Sequence, residues 1–128
     1  MKIKMVASTT VGLIKHLLSE AEDLLAKKDS LQSSEKLYKA AEECIKILSE
    51  RFNLEESKTA EERGRWTVTL LERAVGKLVD KIGIDVQLEW DAANYLHVWG
   101  FHEAKLDAED VRRRMPIIKK LIELTEKV

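Results

Sequence analysis

The chain of 128 residues carries 22 basic and 23 acidic side chains, and its formal net charge is −1. This balance excludes a global electrostatic attraction to nucleic acid or to an anionic membrane. Charged residues make up 35% of the chain, which has only five glycines and one proline, so the composition favours helices over sheet or disorder. The length suits a single domain.

The single cysteine, Cys44, excludes an intrachain disulfide and is typical of a protein from a reducing cytoplasm. No apolar run reaches the roughly 18 residues that a membrane span requires, and residues 1–6 lack the apolar core of a signal peptide. We therefore expect a cytoplasmic protein with no membrane partner. Few asparagines and glutamines beside many lysines and glutamates are typical of a thermophile's composition.

The first predicted elements are a loose arm over residues 1–8 and a helix that Thr9 or Thr10 caps. A second helix covers residues 31–52, LQSSEKLYKAAEECIKILSERF, and its apolar positions repeat every three or four residues. Asp29 or Ser30 can cap it. The connection between the two helices is so short that they should form an antiparallel hairpin, on which the rest of the chain packs.

The third predicted helix begins at a capping box, in which Thr59 and Glu62 satisfy each other's backbone N–H groups, and it runs to Ile82. Gly76 lies inside this helix and is interpreted as the site of a close helix crossing. Gly83 follows the last apolar position, where a glycine commonly ends a helix.

The fourth predicted helix, from Val86 to about Val98, begins at an Asp85 cap and ends at Gly100. It is apolar most of the way round, which indicates a central helix or one shared with a second subunit. Asp107 caps the fifth helix, with Asp110 three residues later. The apolar spacing continues across Pro116 and predicts one kinked helix; the alternative is two helices, the second starting at Pro116.

Together these elements predict an all-α fold, a five-helix bundle in which residues 9–128 form one domain and more than about 70% of the residues are helical. Two apolar seams on the fifth helix and the apolar fourth helix predict a symmetric homodimer through these two helices. The core residues that the periodicity predicts are Leu18, Leu25, Leu37, Ala41, Cys44, Leu48, Leu71, Leu78, Trp90 and Ala93.

The candidate ligand site consists of Asp91, Asn94, His97, His102 and Glu103. A carboxylate that orients an imidazole is a common general-base arrangement. His97, His102 and Glu103 could also be metal ligands. However, a spacing of five across a helix end should not place the two histidines on one face. We therefore favour a structural role, with His97 mostly buried and locally hydrogen-bonded, and predict no metal, no cofactor and no catalytic residue.

The arginines Arg112, Arg113 and Arg114 are consecutive, so they fan around a helix instead of lining one face. A solvated surface is the favoured interpretation. The alternative is a contact with phosphate or RNA if a dimer brings two such triplets together.

Several stretches resemble the archaeal PaREP family: AEDLLAKKDSLQSSEKLYKAAEECIKIL, then Trp66, then WDAA and LHVWGFHEAKLDAEDV. The resemblance covers residues 14–125. It implies a small all-helical protein of unestablished activity with a HEPN-like bundle, a fold whose members often dimerise and include RNA-cleaving toxins and partners of nucleotidyltransferases. The nuclease members carry an Arg followed four to six residues later by His, and no arginine lies between Arg73 and Arg112 here.

The sequence therefore favours a non-catalytic helical interaction protein that is homodimeric, with room for a further protein partner. The alternative is a HEPN-like protein that binds nucleotide or RNA, as the partner of a nucleotidyltransferase in a toxin–antitoxin-like pair. Nucleic acid is the less favoured partner. Because the Arg-to-His motif is missing, enzymatic activity is the least favoured reading.

Overall fold

The computed structural model describes the backbone of residues 2–128 and the side chains of residues 11–128. The chain is 85% helical, and the described residues contain no strand, which confirms the all-α prediction. The described residues form six α-helices and one π-helix, in place of the five helices predicted. They are α1 (Lys2–Ala26), α2 (Ser30–Arg51), α3 (Glu55–Arg63), α4 (Val68–Ile82), α5 (Asp85–Tyr95), the π-helix (Leu96–His102) and α6 (Ala108–Lys127).

The first helix begins at Lys2, before the predicted caps at Thr9 and Thr10. Those threonines and the predicted arm over residues 1–8 lie outside the residues whose side chains are described. The division into an arm and one domain over residues 9–128 therefore stays a prediction.

The second helix lies at the centre of the bundle and contacts α1, α3, α4, α5, the π-helix and α6. Leu37, Ala41 and Leu48 are fully buried, because the apolar face that periodicity predicted is covered from several sides. The Asp29 side chain accepts a hydrogen bond of 3.0 Å from the backbone N–H of Gln32, so the predicted Asp29 cap is confirmed.

The predicted third helix is two helices, and this is why the helix count differs. Gly64 adopts a left-handed conformation with φ of 76° and ends α3. The side chain of Thr67 then accepts a hydrogen bond from the backbone N–H of Leu70 and caps α4. Thr59 lies inside α3, so the predicted capping box at Thr59 is wrong. Gly83 ends α4 as predicted.

Gly76 is exposed on α4, and a methyl group added there would meet nothing within 4 Å. The predicted close crossing at Gly76 is therefore wrong. The fourth predicted helix begins one residue earlier than expected, with Asp85 as its first residue instead of its cap. Gly100 does not end that helix, because the chain continues through it as the π-helix.

The last helix follows the prediction closely. Asp107 and Asp110 form a reciprocal capping box, with hydrogen bonds of 3.0 Å and 2.9 Å between each backbone N–H and the other carboxylate. Pro116 lies inside α6, so the single-helix interpretation is confirmed. Of the ten predicted core residues, nine are buried and only Leu18 is partly exposed.

Candidate functional site

The π-helix packs closely on α2 at Gly100. A Cβ atom added to Gly100 would lie 2.6 Å from the Cβ of Ser34 and closer still to its hydroxyl oxygen. The Ser34 hydroxyl itself donates a 2.7 Å hydrogen bond to the carbonyl oxygen of Ser30. Only glycine fits at this contact, so the close approach that the sequence assigned to Gly76 occurs at Gly100.

Replacing these two glycines should have opposite effects on stability. We expect Gly100→Ala to lower the free energy of unfolding by about 1–3 kcal/mol, because the methyl group overpacks the contact with Ser34. We expect Gly76→Ala to raise it by about 0.5–1 kcal/mol, because the methyl group meets open space and alanine favours the helix. Urea denaturation followed by circular dichroism measures both. A Gly100→Ala variant as stable as Gly76→Ala would contradict the contact.

The π-helix also brings His97 and His102 together. Backbone hydrogen bonds in a π-helix join residues five apart, as between the N–H of Glu103 and the carbonyl oxygen of Val98 at 2.8 Å. Side chains five residues apart consequently share a face, and the two Nε2 atoms are 3.1 Å apart. The expectation that this spacing separates the two histidines is therefore wrong, since it assumed an α-helix that ended between them.

His97 is held by two residues of α2. Its Nδ1 lies 2.8 Å from the Oε1 atom of Glu35, and its ring stacks on that of Tyr38 with centroids 4.0 Å apart. The side chain is 25% exposed, and the hydrogen-bond partner is 62 positions away. His97 is therefore mostly buried, as predicted, but its hydrogen bond is not local along the chain. His102 is exposed and also meets the ring of Phe101 edge-on.

Two carboxylates of α2, those of Glu35 and Glu42, lie close to His97. Burial first, and then the nearby Glu42, Glu35 and Glu72 carboxylates, together raise the pKa of Tyr38 to about 12. Burial also raises the pKa of Glu42, against the opposing effect of Lys46. The Nδ1–H group of His97 donates a hydrogen bond to the Glu35 carboxylate, which leaves a lone pair on Nε2. Such an imidazole can act as a base or as a ligand.

The other predicted site residues lie elsewhere. Asp91 accepts a 2.9 Å hydrogen bond from the amide of Gln87, and Asn94 donates one of 3.0 Å to the carbonyl oxygen of Trp90. Glu103 is exposed. Among the residues with described side chains, none of these three predicted site residues is hydrogen-bonded to either histidine. Asp91 and Asn94 instead line a shallow groove of about 320 Å³ with Glu72, Tyr95, Val98 and Trp99.

Each side chain of the arginine triplet contacts a neighbouring side chain of the same chain. Arg112 pairs with Glu109, and Arg113 pairs with Asp110 at 3.0 Å, each one turn away on the same helix. The guanidinium of Arg114 lies over the ring of Tyr95, 4.3 Å from its centroid. Two of the three charges are thus locally neutralised, and the third lies beside α5.

Besides the histidine pair, the structure has a second candidate surface, which was not identified as one surface from the sequence. The α5 stripe, defined as Ile84, Leu88, Tyr95, Val98 and Trp99, consists of large apolar side chains that are each 41% to 59% exposed. Together with Asp91, the positions 84, 88, 91 and 95 are spaced 4-3-4, as in the seam of a coiled coil, and Val98 and Trp99 follow in the π-helix. That spacing could have identified the α5 stripe in the sequence.

Glu35, the partner of His97, carried no such signal in the sequence, because it lies on a charged helix face far from the histidines along the chain.

None of the helices, within the residues described, combines the length and the apolarity that crossing a bilayer requires. Likewise, no cluster of three or more histidine, cysteine or acidic side chains that could hold a metal ion occurs among the described side chains.

Comparison with known proteins identifies the family. A crystal structure of a protein from Sulfolobus solfataricus is similar to this chain, with a TM-score of 0.82 and 35% identity over 90% of this chain and 94% of that one. The solution structure of the same structural-genomics target gives a TM-score of 0.77 and 36% identity over 88% of each chain. Among curated proteins, none matches. A family model matches residues 9–122, and the chain accordingly belongs to the archaeal PaREP1/PaREP8 family.

Proposed function

We propose that the protein is a non-catalytic helical interaction protein that forms a homodimer through the α5 stripe. The observation that carries the proposal is the exposure of five large apolar side chains along α5 and the residues that flank it. Val86, Trp90 and Ala93 are buried on the opposite side of α5, so the α5 stripe faces away from the core. Contiguous apolar patches of this kind on a folded chain mark interaction sites.

Charge complementarity favours a second copy of the chain as the occupant. At the level of Tyr95, the α5 stripe shares a groove with Glu72 of α4, which accepts a hydrogen bond from Trp90, and the guanidinium of Arg114 of α6 lies over the Tyr95 ring. In the proposed dimer, a two-fold axis runs parallel to α5 between the two copies, so that the two α5 helices pair in a parallel orientation. Glu72 of each copy then faces Arg114 of the partner subunit, twice by symmetry.

The α5 stripe has a polar residue near its middle, Asp91, which is exposed and hydrogen-bonded to Gln87. A single polar residue in an apolar helical seam lowers stability but fixes the register of the two helices. In the proposed parallel pairing the two Asp91 carboxylates come together, and their repulsion lowers the stability of the dimer. The proposed architecture is HEPN-like, with α1 and α2 as an antiparallel pair joined by a short turn, and the resemblance to HEPN bundles implies that such folds often dimerise.

The alternative, a protein that binds nucleotide or RNA as the partner of a nucleotidyltransferase, has less support. Arg112 and Arg113 are each paired with an acidic side chain on α6, so a phosphate would have to compete with those carboxylates. Enzymatic cleavage of RNA has less support still, because no arginine precedes either His97 or His102 by four to six residues.

We expect the chain to elute with a mass near twice its 14.7 kDa in multi-angle light scattering, and Leu88→Glu to reduce that mass to one chain. Leu88 is 57% exposed in the single chain, so the charge disrupts the pairing of copies and not the fold. The matched control is Leu13→Glu on α1, at a leucine that is 43% exposed and lies outside the α5 stripe. A wild-type chain that is monomeric at micromolar concentration would overturn the proposal.

A further inference from the structure

We propose that His97 and His102 bind a divalent transition-metal ion of the zinc type between their Nε2 atoms. These two atoms are 3.1 Å apart in the structure. Two imidazole nitrogens that share a tetrahedral zinc ion, each about 2.0–2.1 Å from it, are about 3.3 Å from each other. The π-helix thus spaces the two nitrogens nearly as a shared ion would, but the rings meet edge-on at 80°, so the exposed His102 ring must turn before both lone pairs point at the ion.

Glu35 prepares His97 for this role. Its carboxylate lies 2.8 Å from Nδ1 and accepts a hydrogen bond from the N–H group there, which leaves the Nε2 lone pair free for the ion. A carboxylate behind a histidine ligand is the usual outer-shell partner at zinc sites, where it fixes the tautomer and raises the basicity of the ring. Glu42, which is close enough to interact electrostatically with His97, adds negative charge on the same side.

The ring orientations are supported by packing, and the site is open to solvent. His97 stacks on Tyr38, and His102 lies edge-on to Phe101. His102 is exposed, so an ion can reach the pair from solution. With two protein ligands, the remaining coordination positions of the proposed ion would be filled by water. Imidazole ligands favour zinc, copper and nickel over magnesium or calcium.

Calorimetric titration of the folded full chain with Zn²⁺ at neutral pH tests the proposal. We expect saturable binding that weakens at least about tenfold in His102→Ala, since removing a ligand costs no less than removing its outer-shell partner. Glu35→Gln, which keeps both imidazoles, should weaken it by about 10-fold. The matched control is His16→Ala, because His16 is the remaining histidine of the chain and lies on α1, next to Glu20.

Circular dichroism of each variant checks that it is folded. His102 is exposed, so replacing it should leave the bundle intact. Zn²⁺ affinity that is equal in the wild type and His102→Ala would overturn the proposal. So would loss of binding in His16→Ala, or a wild-type chain that binds no Zn²⁺, in which case the two rings form only a hydrogen bond with each other.

Discussion

Leu37→Ala and Leu48→Ala should each lower the free energy of unfolding by about 2–5 kcal/mol. Both leucines are fully buried on α2, which contacts every other helix of the bundle. Truncation removes the favourable transfer of the side chain from water and leaves a cavity that its neighbours fill only partly. Urea denaturation at constant protein concentration, followed by circular dichroism, measures the loss.

Leu13→Ala provides the control for these two variants, because Leu13 is 43% exposed on α1. Its substitution should change the stability by no more than about 0.5 kcal/mol, the scatter of surface substitutions. Losses as small as this at both Leu37 and Leu48 would show that α2 does not form the centre of the core.

Glu89→Gln should stabilise the protein in neutral and alkaline solution and have little effect in acid. Glu89 is 6% exposed on α5, and its Oε1 atom has no hydrogen-bond partner. Burial, with a smaller contribution from Asp85 and against the opposing effect of Lys120, raises its pKa from 4.5 to about 7. The buried carboxyl group is therefore better tolerated when it is protonated.

The sign of the pH dependence follows from that raised pKa. Below pH 4.5 the group is protonated in both the folded and the unfolded chain, and its contribution to stability is fully present. As the pH rises from 4.5 to about 7, the unfolded chain releases the proton first, and stability falls until the folded chain also ionises. A pKa difference of this size corresponds to at most about 3 kcal/mol.

The advantage of Glu89→Gln over the wild type should thus grow from near zero in acid to about 2–3 kcal/mol above neutral pH. Denaturation curves recorded across this range give the profile. A difference that does not change with pH would show that Glu89 is solvated in the folded chain.

Much of the fold could be predicted because local spacing determines it. The apolar period identified α2 and the buried positions along it, and the Asp29 and Asp107 caps followed from side-chain chemistry within one turn. The break at Gly64 was missed because helical residues continue on both sides of it. Either Gly64 or Gly76 could have adopted the left-handed conformation that ends a helix, and the sequence pattern does not distinguish the two glycines.

The candidate site was predictable only in part. His97 and His102 were identified as candidates, but their convergence depends on a π-helix, and nothing in LHVWGFH distinguishes π from α spacing. That geometry is accompanied by a tertiary contact, in which Gly100 packs on Ser34. The pairing of His97 with Glu35 joins residues 62 positions apart, which no local pattern encodes.

The central claim, that two copies pair along the α5 stripe, is tested most directly by cross-linking Asp91→Cys under mild oxidation, with a chelator present to remove metal ions. Residue 91 lies near the middle of the stripe and would face its own copy across the two-fold axis. The native cysteine does not interfere, because burial raises the pKa of the Cys44 thiol to about 12. We expect Asp91→Cys to form a disulfide-linked dimer and Leu13→Cys to remain uncrosslinked. Equal cross-linking of the two variants, or none at residue 91, would contradict the account.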